Sequence, residues 1–187
     1  MYESLTADGF KRGFGNLFNT LFCGTAPRKA SFRNEHWTYV LMFLSFLQSK
    51  TAFQTFCRAP RRVGDTEMVL TNLDWQTPHY WTCVVSCDFE SYVAAMSSIE
   101  LSWLMTPTTA MFGPSGNWGA ILDQGGAYLG VFTKYAVVGG EPQFMEELIS
   151  SQGGMVMMRE RFVRFLFDAE FPVSGELRTS LLSDVGW

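Results

Sequence analysis

His79, Cys83 and Cys87 form an H-x3-C-x3-C series, residue types that hold zinc when they converge on one ion. The segment that carries them follows Pro78 and is rich in β-branched and aromatic residues, which reads as a strand. Residues four apart on a strand share a face but lie ~13 Å apart at ~3.3 Å per residue, too far for one ion or for a Cys83–Cys87 disulfide. The thiols therefore read as small buried side chains, and no metal is expected. Ser115 lies in Gly113-Pro114-Ser115-Gly116-Asn117, close to the G-x-S-x-G nucleophile elbow. Asn117 stands where the last glycine belongs, and both histidines, His36 and His79, precede the serine, so the stretch reads as a turn. Gly13-Phe14-Gly15-Asn16-Leu17-Phe18 starts like a dinucleotide fingerprint but has Phe18 at the third glycine and no expected strand before it. No cofactor is expected.

The remaining polar candidates are weaker. His36 stands at an expected helix start and reads as a surface or capping residue. Glu146 and Glu147 are neighbours and diverge by ~100° on a helix, which suits a solvated face better than an acid–base pair. Arg58, Arg61 and Arg62 could hold phosphate, but they lack the interleaved aromatics of a nucleic-acid surface. No catalytic residue is assigned.

These side chains must be positioned by regular elements. Phe10, Phe14, Leu17, Phe18, Leu21 and Phe22 recur at spacings of three and four, the face of an amphipathic helix, although Gly9, Gly13 and Gly15 each weaken it by ~1 kcal/mol. Residues 1–24 are thus an N-terminal arm that needs a surface to fold against. A basic loop over 25–34 leads to Asn34 as a helix cap. The next helix is expected from Glu35, apolar nearly all round through Trp37, Val40, Leu41, Phe43 and Leu44, running to Cys57 either unbroken or with a break near Ser49, and stopped by Pro60. Strands are expected at 67–71 and 79–87 as an antiparallel pair, then a helix over 89–106 capped by Asp88. After a turn around 113–116 come short strands at 118–123, 128–133 and 135–138, with Gly139-Gly140 ending the sheet. Pro142 opens a helix that Gly153-Gly154 closes, followed by a long helix over 155–171 and a short one around Leu177–Trp187. The expectation is one α+β domain over residues 1–187, with an antiparallel sheet of about five short strands packed against several helices.

Charge is sorted along the chain. Residues 1–62 hold nine Lys and Arg against three acids, a balance of +6; residues 63–154 hold one base, Lys134, against ten acids, a balance of −9. A one-signed surface speeds encounter with partners of opposite sign, so the middle of the chain suits a basic protein and opposes nucleic acid. The acids expected to carry such recognition are Asp65, Glu67, Asp74, Asp123, Glu141, Glu146 and Glu147. With 47% hydrophobic and 16% aromatic residues but only 17% charged, against ~25% in an ordinary soluble domain, the chain must place many rings in its core or in an interface. Phe10, Phe14, Leu17, Phe18 and Phe22 are expected to dock either on the chain's own core or on a second copy, and in the second case Phe10, Phe14 and Phe18 form the seam of a homodimer. The apolar run at 39–47 falls short of the ~20 residues of a membrane span. The N-terminus lacks a basic, then apolar, secretory leader, and four cysteines do not suggest a disulfide framework. A cytoplasmic location without membrane attachment is expected.

The stretch Gly113-Pro114-Ser115-Gly116-Asn117-Trp118-Gly119, with Val138-Gly139-Gly140 and Phe144-Met145, resembles a pattern in small uncharacterised bacterial proteins that include immunity-type proteins of toxin systems. The matching positions are turn glycines and core aromatics, so the resemblance bears on fold and carries no functional residue across. Together with the charge map it implies a non-enzymatic, immunity-type protein that neutralises a basic partner such as a toxin. The competing expectation is a structural or accessory subunit with an aromatic-rich interface.

Overall fold

A computed structural model describes residues 2–23, 31–34, 36–43, 50–72, 80–84, 108–123, 135–152 and 156–157. Ten strands are present among them: β1 (Tyr2–Leu5), β2 (Phe22–Cys23), β3 (Ser31–Phe32), β4 (Thr38–Phe43), β5 (Glu67–Asn72), β6 (Tyr80–Val84), β7 (Thr108–Phe112), β8 (Trp118–Asp123), β9 (Tyr135–Gly140) and β10 (Val156–Met157). Eight of them form one antiparallel sheet in the order β1-β6-β5-β7-β8-β9-β4-β10, while β2 and β3 pair separately. The α+β class with an antiparallel sheet therefore holds, and the sheet is wider than five strands.

Side chains alternate across the central strands, and both faces are covered. Val40, Met42, Met68, Leu70, Met111, Trp118, Ala120 and Val138 join one buried cluster with residues of α3 (Lys50–Phe56), α4 (Arg58–Arg62) and α5 (Pro142–Gln152). Val69, Ala110, Phe112 and Ile121 point the other way, into a cluster built with the N-terminal segment. That segment is α1 (Ala7–Phe10), a π-helical turn (Lys11–Gly15) and α2 (Asn16–Leu21), joined without leaving helical backbone. Thr6 caps it, its hydroxyl oxygen accepting from the Gly9 amide at 3.1 Å. A spacing of four drifts around a helix of about 3.6 residues per turn, and the wider π turn counters that drift, so Phe10, Phe14 and Phe18 stay on one face. The Phe10 ring meets those of Phe14 and Phe18, and Phe14, Phe18 and Phe22 surround Phe112, 0% exposed, at centroid distances of 6.5, 6.1 and 5.8 Å.

Several expectations are corrected. Residues 38–43 are strand, not helix: a short continuous apolar run suits a strand as well as a buried helix, and periodicity does not separate the two. Asn34 closes a turn there, its Oδ1 accepting from the His36 amide at 3.0 Å. Pro60 does not stop a helix but lies in the first turn of α4, where its missing N–H would have had no intrahelical acceptor. Gly139 and Gly140 lie within β9, the expected loop over 25–34 contains β3, and Val156–Met157 pairs with β4 where a helix was expected to begin. The strands β1 and β7 were not expected, so a strand does precede the glycines of the N-terminal helix. The antiparallel pairing of 67–71 with the strand after Pro78, the strand at 118–123 and the Pro142 helix all agree. The helices over 89–106 and 177–187, the strand at 128–133, the rest of the 155–171 helix and the Gly153-Gly154 stop lie outside the described residues. Among the described residues no helix is long and apolar enough to cross a membrane.

The N-terminal segment covers one sheet face through its rings. Deleting residues 1–22 should expose that face, lowering the melting temperature and the solubility of the chain; Phe112→Ala should cost about 3–5 kcal/mol in denaturant unfolding. An unchanged melting temperature for both variants would show the segment to be dispensable.

Candidate functional site

The strands converge at one end of the sheet on a small set of polar groups. Helix α4 ends in a glycine cap: Gly64, at φ +86°, donates to the Arg61 carbonyl at 3.0 Å, and the Asp65 amide donates to the Pro60 carbonyl at 3.0 Å. Only the left-handed backbone that glycine adopts readily reverses the chain so sharply, and the reversal turns Asp65 inward. Asp65 is 4% exposed. Its carboxylate accepts from the Ser115 amide at 2.8 Å, the Ser115 hydroxyl at 2.9 Å and the Trp118 indole N–H at 2.7 Å.

The other half of this knot is the β7–β8 turn. Gly116 donates to the Gly113 carbonyl at 3.0 Å, with Pro114 in the second position that its fixed φ favours. A Cβ at Gly113 would overlap both the Asp65 carboxylate and the Trp118 indole nitrogen, so a bare backbone is required there. Trp118, 0% exposed, stacks on Phe144 of α5 at 5.0 Å and 4°, and meets Phe56 of α3 edge-on at 5.9 Å. A second indole is held alike: Trp37 Nε1 donates to Glu141 Oε1 at 3.2 Å, while the Glu141 amide donates to the Asn117 carbonyl at 2.8 Å.

These bonds decide where the seven expected recognition acids stand. Asp65 is buried and bonded to Ser115 and Trp118 of its own chain, which takes it off the exposed surface where it was expected. Glu141 is exposed but tied to Trp37, Glu146 is exposed and Glu147 half-buried on α5, and Glu67 is half-buried at the start of β5. Asp123 ends β8, five residues from Trp118 and so ~17 Å away at the far end of the strand. Asp74 lies outside the described residues. Glu146 and Glu147 thus stand on α5, which is anchored by Phe144, Met145 and Leu148, each at most 2% exposed, and Glu141 immediately precedes it.

Helix α4 packs against α5 and presents Arg58, Arg61 and Arg62 as exposed residues. The separation of charge along the chain therefore does not carry over to this surface, where an arginine helix borders the acidic one. Arg62, Asn117, Glu141 and Gln143 share a shallow groove of about 510 Å³. Ser115, considered for nucleophilic chemistry, donates its hydroxyl proton to Asp65, and among the described residues no group of three His, Cys, Asp or Glu could hold a metal ion. Cys83 lies in a strand, β6, whereas His79 and Cys87 lie outside the described residues. The Asp65 knot escaped the sequence reading, although Arg61-Arg62-Val63-Gly64 carries the signal of a helix C-terminus followed by its glycine.

Asp65→Ala should cost about 3 kcal/mol or more, since it leaves the buried Trp118 donor without an acceptor and removes charge-assisted bonds. Gly113→Ala should destabilise comparably by steric overlap. Urea unfolding that gives less than about 1 kcal/mol for both variants would show that the knot is peripheral.

No protein-family model, curated protein or solved structure matches this chain.

Proposed function

We propose that this chain is a non-enzymatic protein-binding domain of the immunity type, which neutralises a basic protein such as a toxin through the carboxylates of α5. The observation that carries the reading is the placing of Glu146 and Glu147 on a helix anchored in the core by Phe144, Met145 and Leu148, with Glu141 immediately before its first residue. A carboxylate carried on an anchored helix needs no backbone ordering to meet a cation, and exposed charges of this kind act chiefly on association rate and partner choice. The arginines of α4 sharpen that choice. A basic partner must align with α5 and avoid Arg58 and Arg62, so a misplaced cation meets repulsion instead of attraction.

The aromatic N-terminal segment supports this reading over an accessory subunit with an aromatic interface. Phe10 is buried and Phe14 and Phe18 are half-buried against the chain's own sheet, so a homodimer through these three would have only their remaining exposed edges to use.

A partner recovered from the native cell extract at low salt should be basic, and its association with the purified chain should slow as salt shortens the reach of charge to ~8 Å at physiological ionic strength. Reversing Glu146 and Glu147 to Lys should slow association about tenfold or more while leaving the melting temperature unchanged; Asp123→Lys should act more weakly. Association rates indifferent to salt and to the reversals would overturn the reading.

A further inference from the structure

On the other side of the 113–117 turn lies a second groove of about 540 Å³, within the size range of small-molecule sites. Its apolar lining is Leu17 and Leu21; its polar lining includes Arg33, Asn34, His36 and Ser115. In a chain of formal net charge −4, no carboxylate lines this groove among the described residues. The guanidinium is oriented: Arg33 Nε donates to the Phe22 carbonyl at 2.9 Å, which leaves its two terminal nitrogens for another acceptor. The loop that carries His36 is pinned by the Asn34 Oδ1 bond to the His36 amide and by the Tyr39 hydroxyl donating to the Asn34 carbonyl. Among the described residues the groove reaches a negative group through Ser115, whose partner Asp65 is buried and receives three hydrogen bonds; Glu35, between Asn34 and His36, lies outside the described residues.

We propose that this groove binds a small organic anion, with its carboxylate or phosphate held by Arg33 and His36 and its apolar body resting on Leu17 and Leu21. A planar, oriented guanidinium suits either oxyanion, and the two leucines favour an anion with a hydrocarbon body over a bare inorganic ion. The site is independent of the α5 carboxylates.

The test titrates the full chain with phenyl phosphate, with phenylacetate and with neutral benzyl alcohol, following the NMR signals of the His36 ring and the Arg33 Nε–H. At least one anion should give saturable shifts with a Kd on the order of 1 mM or below, and benzyl alcohol none. The tighter of the two anions identifies the head group. His36→Ala should weaken binding about fivefold or more, as should Arg33→Gln; the histidine variant decides the matter if loss of the Phe22 contact unfolds the other. No saturable shift with either anion, equal response to benzyl alcohol, or binding unchanged in His36→Ala would overturn the proposal.

Discussion

The bond from the Trp118 indole to the buried Asp65 carboxylate is the constraint on which this end of the molecule depends. It joins the loop after α4 to the first residue of β8, and Trp118 then stacks on α5 and touches α3. A buried carboxylate is costly unless its oxygens are met by donors, and here one indole, one hydroxyl and one amide meet them. The same requirement explains the local sequence: Gly64 to turn Asp65 inward, Gly113 to make room, and Ser115 to close the bonds. Glu141 repeats the pattern with Trp37, so two carboxylates that look like surface charges in the sequence also serve as structural acceptors.

That dual use limits what charge patterning reveals. Folding brings the arginines of α4 beside the carboxylates of α5, because both helices cover the same sheet face. A linear separation of +6 and −9 becomes, at that place, a surface of alternating sign. Recognition there depends on alignment more than on net attraction, and the acids free to take part are fewer than the ten of the segment.

Much of the fold was legible where local chemistry was unambiguous. Pro142 after Glu141 marks a helix start, and the short apolar run of 118–123 after the 113–116 turn marks a strand. The N-terminal helix was legible from its Phe spacing despite three glycines. What misled was residues 38–43, because a continuous apolar run shows no alternation and so looks like a buried helix. Thr108–Phe112 carries a β-branched pair between Pro107 and Gly113, a signal short enough to be absorbed into the preceding helical pattern. The site was less legible than the fold. Asp65 reads as one more acid in an acidic stretch, and only the glycine cap before it and the distant Trp118 make it a buried acceptor.

The most direct measurement is a double-mutant cycle of Asp65→Asn and Trp118→Phe, read by denaturant unfolding. If the indole–carboxylate bond organises this end of the sheet, the two changes should be coupled by about 1.5 kcal/mol or more, as for charge-assisted bonds between buried partners. Additive effects within about 0.3 kcal/mol would contradict it and leave ring packing alone as what holds Trp118 in place.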